Sequence, residues 1–565
     1  MIIKEREVDV SLLDDLEEVI GNRTVARLYA ARGIDAEQYA FKKKLEHPET
    51  MGDFQKAVDI IAQAMQDHKK IAIVGDYDVD GATSTTIAMR FFRAYGVDVF
   101  YLIPSRFKQG YGLSAELVDT AKEQGADVII TVDNGIVAFQ AVDYAKSLGL
   151  TVIVTDHHTP HKENGVTVLP HADAVVNPVA HGEFPYPQTC GAGVIFYVMH
   201  GVHRALEQQG KAAPVSWTEL IQLVGLATVC DMVPLHYNNR LFIKEALKHM
   251  RTHPLPGIRA LTEVSGAQCA QIREDTLGFY IGPRINAAGR LQDMHIGVET
   301  LLSEDFQSAA ELAHNLQSLN SHRKSIEHHM LQDALDDLDN DNQWKNKKGI
   351  VVYRDEWNEG VVGLVASRIK ERYYKPAIAL CKTDSGFVKG SARSIEGLYI
   401  RESLAEVSSR RPDIIHKFGG HAMAAGLTIH ADKVQDFMDV WESVLEEMWE
   451  PHWSQKEIGI DGEWGPAWHT MEVVEFLENS GPWGVGCPSP LFICHIEVEK
   501  YIVMKERHSK VVGRVAKSLN VEAVKFGWTL DLPPKYLTCT VTPKINEWRG
   551  GKEIQLMIQD IIDVE

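Results

Sequence analysis

Three short apolar runs each end in a polar loop that carries acids. Ile71-Ala72-Ile73-Val74 runs into Gly75-Asp76-Tyr77-Asp78-Val79-Asp80-Gly81. Val128-Ile129-Ile130-Thr131-Val132 runs into Asp133-Asn134-Gly135, and Thr151-Val152-Ile153-Val154-Thr155 into Asp156-His157-His158. Runs of four or five mostly β-branched residues bounded by turn residues read as buried strands. Helical periodicity fills the intervals at 83–95, 114–124 and 138–148, and further strands are expected at 97–102 and 174–176. This alternation predicts a parallel α/β sheet with right-handed crossovers. The carboxyl ends of all its strands then share one edge, and ligands bind at that edge. Five carboxylates and two imidazoles would converge there. So much negative charge in a crevice needs compensation, and divalent metal is the simplest form of it.

Asp76, Asp78 and Asp80 are too many for one ion at such close spacing, so two adjacent metals, or two ligands and a supporting acid, fit better. An EF-hand shares the D-x-D-x-D-G opening, but its twelfth position must be Glu, and counting from Asp76 that position is Ile87. Oxygen ligands mixed with imidazole suit manganese or magnesium. Each motif has a bland alternative: an Asp-rich turn, a tight Asp-Asn-Gly turn, a pair of surface histidines. Their common placement on one sheet edge argues against all three. Asp231 follows the apolar stretch 223–230 and, taken alone, reads as a helix end.

Residues 1–68 read as short helices, the first beginning near Ser11. The stretch 304–339 contains no proline or glycine, and its apolar residues recur at spacings of three to five, which predicts one long helix joining two α/β blocks. The second block begins at Gly349. From about 455 the pattern switches to alternation, at 496–503, 510–515, 536–542 and 553–561, which predicts an all-β barrel with an OB-fold as the leading choice. The expected division is 1–68 helical, 69–303 catalytic, 304–345 connecting helix, 346–452 second α/β domain and 453–565 barrel domain.

Seven scattered cysteines, never spaced C-x-x-C, argue for a reducing cytoplasm and against a zinc ribbon. No apolar run approaches the roughly 18 residues a membrane span needs, and the first residues lack the apolar core of a signal peptide. A net charge of −20 weighs against a nucleic-acid partner, although a local basic groove can coexist with an acidic whole.

Three stretches suit phosphate. Gly282-Pro283-Arg284-Ile285-Asn286-Ala287-Ala288-Gly289-Arg290 reads as a loop with two guanidinium forks. Gly390-Ser391-Ala392-Arg393-Ser394 and Gly419-Gly420-His421 combine small residues with polar ones, so that a backbone can approach closely. Surface arginines and close packing are the bland readings. Among the tryptophans of the last block most belong to a core, with Trp528 and Trp548 as candidates for stacking on bases.

The set Asp76-Tyr77-Asp78-Val79-Asp80-Gly81, Asp133-Asn134-Gly135, Asp156-His157-His158, Asp231 and Gly419-Gly420-His421 resembles the DHH phosphoesterases. With Pro104-Ser105-Arg106-Phe107-Lys108-Gln109-Gly110-Tyr111-Gly112, 282–290 and Gly481-Pro482-Trp483-Gly484-Val485-Gly486-Cys487-Pro488, the likeness spans nearly the whole chain. It is closest to the branch of exonucleases specific for single-stranded DNA. The resemblance implies a DHH domain, a connecting helix, a DHHA1 domain and an OB-fold around a central hole. It implies 5′ to 3′ hydrolysis of single-stranded DNA to mononucleotides, in repair and recombination, with two manganese or magnesium ions. Asp76, Asp78, Asp80, Asp133, His157 and Asp231 would hold metal. His158 would face the scissile phosphate and Asp156 would orient an imidazole. Arg106, Ser391 and Arg393 would receive the 5′ phosphate, and Arg284 with Arg290, Gly419, Gly420 and His421 the strand.

The implied partners are single-stranded DNA, a single-strand-binding protein and a helicase; the implied state is a cytoplasmic monomer, with no membrane. Val74 stands where several relatives place a metal-binding histidine, and Cys487 where related exonucleases often carry asparagine. Two alternatives remain: a DHH phosphodiesterase for short oligonucleotides or cyclic dinucleotides, and a non-catalytic replication scaffold. Since every candidate ligand lies at or before Asp231, the barrel block is expected to add affinity and not chemistry.

Overall fold

The computed structural model describes residues 1–105, 112–383, 386–516, 518–547 and 551–565, and of Trp548 the backbone alone. The first α/β block holds a five-stranded, all-parallel sheet. Its spatial order is Val99–Leu102, Ile71–Val74, Val128–Val132, Thr151–Thr155, Ala174–Val176. Ile71 pairs in register with both Val99 and Val128, and Val128 with Thr151. The order reverses at the strand Ile71–Val74, between the second and third strands of the chain. A doubly wound sheet opens its ligand crevice at such a reversal. The loops after Val74 and Val132 flank it.

Helix boundaries settle where each acid sits. The helix predicted from residue 83 starts earlier, at Val79, and runs to Ala94. Asp78 is its N-cap, accepting the Gly81 amide at 3.0 Å, and Asp80 lies in its first turn. The stretch 282–290 is not a loop. It forms the helix Gly282–Leu291, with Pro283 in the first turn, where a missing N–H does no harm. A π-helical turn, Thr276–Ile281, runs directly into it.

The long helix is one element, Phe306–Asn340. Its first half, through Ala309, Ala313, Leu316 and Leu319, belongs to the core of the first block. Its second half, through Met330, Ala334 and Leu338, belongs to the core around Val352, Val365 and Ile378's neighbour Ala377. A helix of this length, about 50 Å, locked at both ends holds the two blocks at a fixed separation. The second block is a mixed five-stranded sheet, ordered Ile415–Gly420, Ala424–His430, Phe387–Arg393, Ala377–Lys382, Ile350–Arg354. The last block closes a five-stranded barrel from Phe492–Met504, His508–Val515, Leu519–Lys525, Gly551–Val564 and Tyr536–Trp548.

One link was not expected. Within 1–68, Ile2–Glu5 is a strand, and it pairs in parallel with Glu457–Ile460, Ile2 opposite Glu457. The N-terminal strand is therefore stitched to the start of the last block.

Candidate metal centre

Asp76, Asp80, Asp133 and Asp156 are all 3% exposed or less, and they meet at the sheet reversal. Oxygens and imidazole nitrogens group here in threes, within 4.8 Å of one another: Asp76, Asp78 and Asp133; Asp80, His157 and Asp231; Asp133, His157 and His158. Asp133 and His157 each belong to two groups. Asp133 sits at φ 63°, a left-handed conformation that non-glycine residues seldom adopt. Its neighbour Asn134 holds the turn by donating to the carbonyls of Val74 and Val132 at 2.9 and 3.0 Å and accepting the Leu113 amide at 3.1 Å. Val74, fully buried in its strand, contributes only this carbonyl.

Asp80 is anchored by a feature the sequence reading passed over. The amides of Gly191 and Ala192, at the start of the helix Gly191–Gln208, donate to its two oxygens at 2.7 and 2.8 Å. Residue 191 must be glycine, because a Cβ there would lie 2.7 Å from the Asp133 Cβ. Thr189-Cys190-Gly191-Ala192-Gly193 ahead of an apolar helix was the available signal.

Burial, followed by the neighbouring carboxylates, drives these acids up. Asp80 is pushed to about 7, by burial first and Asp78 second. Asp133 is driven well above the carboxylate range by burial and then Asp80, Asp78, Asp76 and Asp231; Asp231 is driven up by burial, Asp80 and Asp78. Burial also lowers His157 to about 3, so its imidazole is neutral. Among the described residues His157 Nε2 makes no hydrogen bond, although oxygens of Asp133, Asp80 and Asp231 lie 3.1, 3.5 and 3.6 Å away. A neutral buried imidazole aimed into crowded carboxylates is the state of a metal ligand, and the donor set fits a hard divalent cation.

Asp156 does a different job. Its Oδ2 accepts the Ile136 amide at 2.9 Å and its Oδ1 accepts the amides of His157 and His158. The same Oδ1 lies 2.7 Å from His158 Nδ1. Burial opposes ionisation of Asp156, but the charge of and hydrogen bond to His158 overcome it and hold Asp156 at about 2. For His158, burial is likewise outweighed by Asp156, which raises the imidazole to about 9. His158 is therefore an oriented imidazolium at neutral pH in the metal-free protein.

The second block reaches this centre through His421, whose ring stacks parallel to His158 at 6.2 Å between centroids. Gly419, Gly420 and His421 are exposed beside it. Within the strand Phe387–Arg393, Arg393 donates to Ser391 Oγ at 2.7 Å and lies in register with Ala424. Arg290 bonds the Gly360 carbonyl at 3.2 Å, joining the two blocks. Arg284 is buried and donates to the Tyr280 carbonyl one turn before it. Its helix backs onto the acidic loop, since a Cβ on Gly289 would strike the Tyr77 carbonyl oxygen at 2.0 Å. Trp528 is half-buried against the barrel core, edge-on to Tyr501. Arg106 and the Trp548 side chain lie outside the described residues.

The barrel block is not separable from this site in the way the position of the ligands suggested. Asp231 ends the helix Trp217–Cys230, and four residues later the Leu235 amide donates to the Val485 carbonyl at 2.7 Å. Trp483 N–H bonds Glu274 at 2.7 Å, and its ring stacks on Tyr29. The glycine-rich turn 481–487, Cys487 buried within it, thus braces the segment that follows Asp231.

Comparison with known proteins agrees with this arrangement. Residues 70–228 match the DHH family, N-terminal domain; 346–447 match the DHHA1 domain and 460–560 the RecJ OB domain. Over 562 residues the chain is 40% identical to the single-stranded-DNA-specific exonuclease RecJ of Salmonella typhimurium, covering 95% of each. The chain belongs to the RecJ family. Its fold superposes on the crystal structure of RecJ in complex with Mn2+ from Thermus thermophilus with a TM-score of 0.84 at 27% identity, covering all of this chain and 79% of that one. The Mg2+ complex of the same Thermus protein gives 0.78 at 26% identity, covering 100% and 78%. The RecJ family thus accounts for all three folded blocks and for their order.

Proposed function

We propose that the chain is a divalent-metal-dependent exonuclease that digests single-stranded DNA from its 5′ end to mononucleotides. The observation that carries this reading is the sharing of Asp133 and His157 between ligand groups, which suits two adjacent ions and not one. The relatives named above, and the Mn2+ and Mg2+ bound by the Thermus protein, support it. Asp76, Asp78, Asp80, Asp133, His157 and Asp231 would hold the ions. Bound in this way, manganese or magnesium supplies an activated water near neutral pH and counters charge on the phosphate.

The remaining steps fall to the chain. Asp156 keeps the His158 ring turned by its grip on Nδ1, leaving Nε2 to face a phosphoryl oxygen or leaving group. Arg393 and Ser391, with Arg106, receive the terminal phosphate by charge-assisted bonds. Gly419 and Gly420 allow the strand backbone to approach closely, His421 packs beside the reacting phosphate, and Arg284 and Arg290 border the strand's path. The same reading makes the chain a cytoplasmic monomer of repair and recombination, acting beside a single-strand-binding protein and a helicase. Among the described residues no helix is long and apolar enough to cross a membrane.

The test is digestion of end-labelled single strands, each with one end blocked, in manganese or magnesium. Blocking the 5′ end should stop release of mononucleotides, and blocking the 3′ end should not. Cleavage of dinucleotides with long strands left intact would replace this reading with a small-substrate phosphodiesterase.

A further inference from the structure

Phe279 and Tyr280 stand in solvent on the π-helical turn Thr276–Ile281, 75% and 46% exposed. Two neighbouring aromatic rings left in water need a reason, and the surroundings supply one. The turn packs on the end of the helix that carries Asp231: the Cys230 thiol points at the Leu277 carbonyl at 3.6 Å, and a Cβ on Gly282 would meet Cys230 Sγ at 2.5 Å. Met232, the residue after Asp231, is also exposed, at 68%, and is held at φ 57°. Strained backbone of this kind concentrates at functional sites. On its other side the turn is tied to the barrel block, by Asp275 to Lys544 at 3.5 Å and Arg273 to Glu478 at 3.0 Å. The aromatic pair therefore lies between the metal centre and the barrel, one turn ahead of Arg284.

We propose that Phe279 and Tyr280, with Met232 at their edge, form a stacking platform for nucleobases of the strand as it passes from the barrel to the metal centre. The platform rests on the exonuclease reading. It is sequence-tolerant, because every base offers a π face, and polarisable sulfur at the rim of an aromatic surface adds to it. A single turn of π-helix suits the task, since π-bulges are frequent at functional sites. The rings carry no group for the chemistry, so their contribution falls on holding the strand and not on turnover.

The full-length chain is assayed with manganese on an ordinary oligonucleotide and on one with abasic residues at alternate positions. Phe279→Ala and Tyr280→Ala should each raise KM on the ordinary strand by roughly fivefold or more, the range of base–aromatic stacking. Their kcat should stay near the parent's. On the abasic strand the same substitutions should change little, because the stacking partner is already gone. Phe279→Trp should keep the parent's KM, and Phe279→Leu, which keeps apolar bulk without a π face, should not. The platform is overturned if the alanine variants match the parent on ordinary strands, as a protein-docking patch would require. It is equally overturned if they lose as much on abasic strands, or if Phe279→Leu restores binding. A parent that cuts neither strand overturns the exonuclease reading instead.

Discussion

The carboxylate cluster of the first block and the open lip of the second are both made from sheet ends, yet they are built in opposite ways. Asp76, Asp80, Asp133 and Asp156 are buried and crowded, and backbone amides fix Asp80 and Asp156. Gly419, Gly420 and His421 lie in the open, and Arg393 beside them is half-buried and bonds Ser391 and the Ala392 carbonyl. Groups that must present charge at a defined point are locked in place before substrate arrives. Groups that must accept a moving strand are left accessible. Damage to the first should therefore fall on kcat, and damage to the second on KM.

The largest effect is expected from Asp133→Ala, which removes the shared ligand and should lower kcat by about a thousandfold or more, with strand binding retained. Turnover near the parent's in saturating manganese would break the assignment of Asp133 as the bridge. Next comes His158→Ala, which should cost on the order of a hundredfold in kcat and leave KM little changed; a KM effect alone would move His158 to the binding side of the comparison. Arg393→Ala should raise KM roughly tenfold or more, the worth of a charge-assisted hydrogen bond. It should also erase any preference for a 5′-phosphorylated end, seen by comparing phosphorylated and dephosphorylated strands.

The smallest effect concerns the metal-free protein. Asp80 is raised from 3.8 to about 7, so the stability it lends is complete below about pH 4 and lost as pH rises through 7. His158 is raised from 6.5 to about 9, so its contribution is lost on the way up to 9. Asp156, lowered to about 2, lends stability that is fully present above about pH 4 and lost only in acid, outside this window. Melting of the metal-free chain should therefore fall by a few degrees from pH 6 to 9, and manganese should flatten the trend. A metal-free protein that melts higher at pH 9 than at pH 6 would remove the electrostatic crowding on which the comparison rests.

The strands of the first sheet and their acidic loops were legible because dense β-branched runs bounded by Gly, Asp and Asn have few other readings. The long helix was legible from thirty-odd residues of periodicity without a breaker. Other features were not. Ile2–Glu5 is too short to show a pattern, and its partner lies more than four hundred residues away. Leu519–Lys525 alternates too weakly to stand out. The stretch 282–290 looked like a loop because glycine and proline disfavour helix, whereas tertiary packing of Gly289 on the acidic loop calls for a small residue. The amides of Gly191 and Ala192 left only the small-residue run 189–193 ahead of an apolar helix as a trace, and the carboxylate they serve is known only once the fold has placed them.

The stitch between Ile2–Glu5 and Glu457–Ile460 also sets an order of events in the cell. A ribosome releases the acidic loops before the segments 457–460 and 481–487. Until those segments emerge, Ile2–Glu5 has no strand to pair with and the segment after Asp231 has no brace. A nascent chain therefore carries its charged cluster without the full frame around it, and a truncated product of interrupted translation would lack the same supports. The frame is completed only after residues 457–487 have been made, so this hydrolase would come into working order well after its acidic loops have been synthesised.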